Sequence, residues 1–270
     1  MMEIFEIIKA FILGVVQGIT EWLPISSTGH LIIIEDIFKF NLSDSFVNTF
    51  FVLIQLGSII AVVVLFFKKL NPFKREEKER NDTINLWLKI AVATIPAGIA
   101  GFLFEEQIDT LLYNSVTVAI MLIFYGVIFI LLESKNKKPL TTELPQISFK
   151  LALGIGLFQM LALVPGTSRS GATIIGAVFL GTSRYIASEF SFFLAIPTML
   201  GASFYKLMKS GFVFSSLEIM VLVVGSITAF VVSLWAIKFL LDYIKNHDFK
   251  VFGYYRIILG LLVLFFYFFI

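Results

Sequence analysis

Long apolar runs separated by short polar linkers dominate this chain. Five runs are long enough for a helix of ~20 residues to cross a bilayer: Phe46–Phe67, Ile84–Phe104, Val116–Leu132, Tyr185–Tyr205 and Leu217–Leu241. A sixth, Phe252–Ile270, ends the chain. Two other apolar regions are interrupted. Ile4–Thr20 resumes as Leu31–Phe40, and Phe149–Val164 resumes as Ile174–Gly181, each broken by proline and glycine. Broken segments at membrane depth are tolerated where they line protein or a water cavity. The pattern therefore predicts an all-α polytopic membrane protein with six transmembrane helices and two re-entrant helical hairpins.

The linkers Lys68–Thr83, Glu133–Gln146, Lys206–Ser216 and Asp242–Lys250 are polar but too short to be domains. One membrane domain, residues 1–270, is expected. A displacement of about 142 residues, sought as an internal repeat, pairs Gly14 with Gly156, Gln17 with Gln159, and Ser26-Ser27-Thr28-Gly29 with Ser168-Arg169-Ser170-Gly171. The halves are then about 1–134 and 147–270, joined by a polar linker. Each holds one hairpin and three spans, an odd number of crossings, so the repeat is expected to be inverted. In transporters such repeats meet around a midplane site.

Basic residues set the orientation. Lys68, Lys69, Lys74, Arg75, Lys78, Arg80, Lys135, Lys137, Lys138, Lys150, Arg184, Lys238, Lys245 and Lys250 share one side, expected to be cytoplasmic. Only Lys9, Lys39, Lys206 and Lys209 fall on the other. Both termini and the mouth of the first hairpin should then face outside.

Composition agrees: 58% of residues are hydrophobic and 15% charged, against about 25% charged in soluble proteins. A net charge of +2 leaves no nucleic-acid footprint. With no cysteine, disulfides, thiolate metal sites and cysteine nucleophiles are excluded.

Against this background, two polar islands stand out. The first, Gln17 to His30, holds an acid, three hydroxyls and an imidazole; the second runs from Pro165 to Thr173. Polar groups inside a membrane domain are costly and are functional candidates by default. Gln17 and Glu21 are four apart and share a helical face. Glu21 reads as a general base or a ligand for a divalent ion, or as an acid merely hydrogen-bonded to the hydroxyl cluster. Ser26, Ser27 and Thr28 follow Pro24, where a new helix should begin. A helix start offers free N–H groups to an anion, although any one hydroxyl could simply be a cap. His30 is three residues from Ser27, on the same face, and suits acid or base work.

In the second island Arg169 needs an anionic partner, and its planar fork matches phosphate oxygens. The blander reading is an ion pair with Glu21 or Glu189. Ser168, Ser170 and Thr173 add hydroxyls. Gln55 and Gln159 read as interhelical glue, Glu189 as a partner of Arg184, and His247 as a solvated linker residue. The two islands are expected to fold together into one phosphate-handling site.

Gln17-x-x-x-Glu21 followed by Pro-Ile-Ser-Ser-Thr-Gly-His30, together with Pro165-Gly-Thr-Ser-Arg-Ser-Gly-Ala-Thr173, resembles the two signature motifs of the undecaprenyl-diphosphate phosphatase family, the bacitracin-resistance type. Ile54-Gln-Leu-Gly-Ser58 and Ser183 to Phe192 extend the resemblance. It implies hydrolysis of a C55 isoprenyl diphosphate to the monophosphate and inorganic phosphate, recycling the lipid carrier for peptidoglycan. Bacitracin resistance follows from loss of the drug's lipid target, since bacitracin acts on the substrate and not on the protein. It also implies a site on the outer side of the cytoplasmic membrane. The family's first acidic position is Glu or Gln. Here it is Gln17, so Glu21 carries the acidic role alone.

The catalytic candidates are thus Glu21, Ser27, His30 and Arg169. Phosphate ligands are sought among Ser26, Thr28, Ser168, Ser170 and Thr173, with Gln17 supporting. No cofactor is required by the sequence; Mg²⁺ or Ca²⁺ at Glu21 is the metal option, since such ions commonly bridge phosphate oxygens. The rival reading is a lipid-phosphate transporter or flippase using the same anion site.

Overall fold

The computed structural model describes residues 2–135, 138–211 and 213–269, so Lys137 and the terminal Ile270, both named above, lie outside the described residues. The first half comprises α1 (Met2–Thr20), α2 (Ser27–Ile37), α3 (Asp44–Leu65), the single turn α4 (Phe67–Leu70), α5 (Glu77–Leu112) and α6 (Ser115–Ser134). The second comprises α7 (Phe149–Met160), α8 (Arg169–Phe179), α9 (Arg184–Ser210), α10 (Ser216–Asn246) and α11 (Lys250–Phe269). No strand forms among the described residues; Thr141 and Thr182 make one isolated bridge.

Among the described residues, six helices are long and apolar enough to cross a membrane: α3, α5, α6, α9, α10 and α11. They coincide with the six uninterrupted apolar runs. The interrupted regions form helix pairs, α1–α2 and α7–α8, broken at the two polar islands. Both breaks have a local cause. Pro24 and Pro165 cannot continue a hydrogen-bonded helix, and Ser26 and Ser168 then cap the next one. Ser26 Oγ accepts from Gly29 N, and Ser168 Oγ accepts from Gly171 N. At 1.5 Å per residue, the 11 residues of α2 and of α8 span only about 16 Å, half the hydrocarbon core.

Helix pairing crosses between the halves. α1 packs on α10 and α7 on α5; α3 also contacts α10, α9 also contacts α5, and α6 pairs with α11. Small residues permit these approaches. Gly14 lies against Gly225 and Thr228 of α10, and Gly126 against Gly253 and Arg256 of α11. The largest buried cluster centres on α9, whose Phe190, Phe192 and Phe193 are fully enclosed with Trp22 and Phe66 at its edge. α9 packs on α8, and its Phe192 meets Trp22 of the first break edge to face at 5.2 Å.

Candidate functional site

Both turns carry the same unusual backbone. Ser26 and Ser168 have φ of 74° and 73°, the two non-glycine residues with positive φ among those described. A Cβ in this region costs on the order of 1–3 kcal/mol, and each serine sits there as a helix cap. Gly166, with φ of 89°, has a second reason to be glycine: a Cβ would fall 2.7 Å from Val118 Cα.

These turns bring the islands together. Arg169 Nη2 donates to Glu21 Oε1 at 2.9 Å. Glu21 Oε2 accepts from Ser27 Oγ at 3.1 Å and from Gln17 Nε2 at 2.9 Å. Arg169 Nη1 donates to the Ser191 carbonyl at 2.9 Å and to its Oγ at 3.3 Å, while the guanidinium lies 5.5 Å from the Trp22 ring centroid. The ion pair is largely buried, with side-chain exposures of 12% for Arg169 and 7% for Glu21. At that burial, screening by water is weak and charge-assisted bonds hold geometry tightly.

A cavity of about 190 Å³ opens here, lined by Glu21, Ser27, Thr28, Ser168, Arg169, Gln55 and Thr198, with Ala162, Pro165, Gly166, Met199 and Ala202. Arg169 is the cation of its lining and Glu21 the anion. The N-termini of α2 and α8 both begin at it, adding two positive dipole ends. The arrangement suits a small polyanion beside a hydroxyl whose proton a carboxylate can take. Ligand pockets for drug-sized molecules run about 300–1,000 Å³, so this one admits a headgroup and not a long lipid chain.

Not every expected residue reaches the cavity. Ser26 is 1% exposed and caps α2. Ser170 Oγ donates back to the Glu21 and Leu23 carbonyls at 3.0 and 3.4 Å. Thr173 Oγ1 bonds the Arg169 carbonyl at 2.9 Å and Ser191 Oγ at 2.6 Å. These three hydroxyls brace the turns and are absent from the lining. His30 is also turned aside: its Nδ1 lies 2.7 Å from the Ser26 carbonyl and its Nε2 2.6 Å from Tyr255 Oη. Helical spacing put Ser27 and His30 on neighbouring positions, but Ser27 lies in the first turn of α2, where its side chain swings toward Glu21. Gln17 sits behind Glu21, fully buried.

Of the two carboxylates expected as partners for Arg169, Glu21 is the one it takes. The expected pairing of Glu189 with Arg184 does not form: Glu189 pairs with Lys69 at 2.5 Å and Arg184 with Glu133 at 2.5 Å. Gln55 lines the cavity and does not act only as glue between helices. As expected, Gln159 joins two helices, accepting from Thr198 at 3.4 Å, and His247 is exposed, stacked on Tyr243.

Sequence reasoning passed over Ser191, which fixes the Arg169 fork, and Arg256, which lies beneath both turns. Arg256 carried a readable signal, an arginine inside an apolar span; Ser191 lies within the Ser183 to Phe192 stretch of the resemblance, but no local pattern placed it at Arg169. Among the described residues, no three of His, Cys, Asp and Glu gather as a metal site, and Glu21 is the carboxylate available at the cavity.

Comparison with known proteins bears on this geometry. The family model described as bacitracin resistance protein BacA matches residues 10–262. Undecaprenyl-diphosphatase 1 of Clostridioides difficile (strain 630) is 61% identical over 268 residues, covering 98% of each chain. Undecaprenyl-diphosphatase of Enterococcus faecalis is 55% identical, covering 97% of this chain and 98% of its own. That of Streptococcus mutans serotype c is 51% identical over 98% of this chain and 97% of its own. With matches of this extent the chain belongs to the bacitracin resistance protein BacA family.

Proposed function

We propose that this chain is an undecaprenyl-diphosphatase of the bacterial cytoplasmic membrane, hydrolysing undecaprenyl diphosphate to undecaprenyl phosphate and inorganic phosphate at the Glu21–Arg169 cavity. The observation that carries the reading is the Ser27–Glu21–Arg169 constellation, in which a hydroxyl, a carboxylate and a guanidinium from both islands meet at one small cavity. The names of its relatives support the substrate. Recycling of the carrier supplies peptidoglycan synthesis, and consumption of free diphosphate confers bacitracin resistance.

The terminal phosphate binds between Arg169 and the N-termini of α2 and α8, with Thr28 and Ser168 as further donors and Gln55 opposite. Its prenyl chain stays among membrane lipids. Electrostatic positioning of this kind supplies most of phosphoryl-transfer catalysis. Ser27 Oγ attacks the terminal phosphorus and passes its proton to Glu21 Oε2. The new Oγ–P bond forms as the bridging P–O bond breaks, and undecaprenyl phosphate leaves with the electron pair. Glu21 passes its proton to the departing phosphate oxygen. It next takes a proton from the water that attacks phosphoserine, and returns it to Ser27 as phosphate departs. Gln17 orients the carboxylate. His30, held by Ser26 and Tyr255, supports the turn that presents Ser27, so base work falls to Glu21.

Mg²⁺ or Ca²⁺ would be held by Glu21 together with the substrate's own phosphate oxygens, and would add neutralisation of the diphosphate. One carboxylate that already accepts three hydrogen bonds offers no cage for a resident ion.

The α1–α2 and α7–α8 pairs are read as re-entrant hairpins of an inverted repeat within one membrane domain, with halves of about 1–134 and 147–270. Support comes from the matching caps and positive φ at Ser26 and Ser168, the short α2 and α8, and the reciprocal pairing of α1 with α10 and α7 with α5. The basic linkers favour a cavity opening to the outer side. A transporter or flippase would use the same cation but would leave the Ser27–Glu21 bond without a task. Phosphate release from the C55 diphosphate by purified protein in detergent, with no gradient or second compartment, tests the reading. Turnover is expected; intact, monodisperse protein that releases no phosphate would overturn it.

A further inference from the structure

Arg256 is buried at 0% exposure in α11, a helix that beyond Lys250 at its start is otherwise built of apolar and aromatic residues and glycine. Its charge meets no carboxylate among the described residues. It is spent on backbone carbonyls: Nη1 donates to Pro24 O at 3.2 Å, and Nη2 to Gly166 O at 2.8 Å and Thr167 O at 2.9 Å. Met121 O lies 3.5 Å from Nη2, and the guanidinium stands 5.7 Å from the Tyr125 ring centroid. Gly171, in the first turn of α8, lies close enough that a Cβ there would sit 3.1 Å from Nη1.

These acceptors belong to the two breaks that face each other. Pro24 is three residues before Ser27, and Thr167 two before Arg169. One planar fork thus ties the chain leading to the hydroxyl to the chain leading to the guanidinium. An arginine at membrane depth is costly, and a single fixed fork is the side-chain geometry that can satisfy carbonyls from both turns at once.

We propose that Arg256 is a positioning residue of the phosphate site: it links the Pro24 turn to the Gly166–Thr167 turn and so fixes Ser27 against Arg169. The proposal rests on the phosphatase reading above. Misplacing reacting groups by about 1 Å costs on the order of 10²-fold in rate. The loss should therefore fall on kcat, because Arg169 and the helix N-termini remain to bind the diphosphate.

R256Q and R256K test this by phosphate release from the C55 diphosphate in detergent, with helix content and monodispersity measured on the same samples. Lysine keeps the charge but cannot span both turns. Both variants should lose kcat by about 10²-fold with KM within about threefold of wild type. If either folded variant keeps kcat within about threefold, or if only KM rises, the positioning role is refuted. Retention by R256K alone would show that charge suffices and the link does not matter. Should R256Q fail to survive extraction, R256A assayed with and without methylguanidinium replaces it. Recovery of turnover at unchanged KM supports the proposal, and folded R256A that already matches wild type overturns it. Wild-type protein that releases no phosphate would instead overturn the phosphatase reading.

Discussion

Replacing Arg169 by lysine isolates what the fork contributes beyond its charge. The guanidinium donates three hydrogen bonds to oxygen, Glu21 Oε1, Ser191 O and Ser191 Oγ, and a weaker one to Met199 Sδ, and its carbon lies 5.5 Å from the Trp22 ring centroid. A lysine ammonium can keep the Glu21 contact, which avoids the roughly 3–5 kcal/mol cost of leaving a buried charge alone. It cannot hold Ser191 and a phosphate oxygen in the same plane. Hydrogen bonds to charged groups contribute about 1.5–3 kcal/mol each. Losing the equivalent of one to two of them in the transition state removes about 3 kcal/mol. At 1.36 kcal/mol per tenfold, kcat/KM should fall about 10²-fold. The assay is phosphate release from the C55 diphosphate by purified Arg169→Lys protein, with thermal denaturation in detergent as the control for folding. A variant that melts like wild type and retains more than about a third of kcat/KM would refute the idea that a fixed fork, and not merely a positive charge, clamps the phosphate.

Two further outcomes follow from the same geometry. At Ser168, where φ is 73°, Ser168→Gly relieves backbone strain while losing the cap, whereas Ser168→Ala loses the cap and keeps the strain; the glycine variant should be the more stable by about 1 kcal/mol, read from denaturation midpoints, and equal midpoints would contradict the strain argument. Elemental analysis of purified protein should find no stoichiometric divalent ion, because Glu21 is the one carboxylate lining the cavity among the described residues, and one tightly held ion per chain would contradict that reading of the donor set.

The six spans were legible because each is an unbroken apolar run, a signal that needs only chain-local information. The helix breaks were legible too, since proline followed by serine marks a stop and a cap. Positive φ at Ser26 and Ser168 was not, because glycine is the usual occupant of that region. Pairings across the chain were the least legible. Arg184 lies five residues from Glu189, yet its partner is Glu133, 51 residues away. His30 finds Tyr255, 225 residues on. Such choices are set by which helices pack, as α11 does beside α6 and the first turn. For hydroxyls, polarity alone could not separate those that brace a turn, such as Ser170 and Thr173, from those that line the cavity, such as Ser27 and Thr28.

In the proposed mechanism Ser27, polarised by Glu21 and faced by Arg169, takes the terminal phosphate. Rapid quenching of purified wild-type protein with diphosphate labelled in its terminal phosphate tests this most directly. Transient label on Ser27 is expected, and none, with turnover abolished, in Ser27→Ala protein. Unlabelled Ser27 together with a Ser27→Ala variant that still releases phosphate would contradict it.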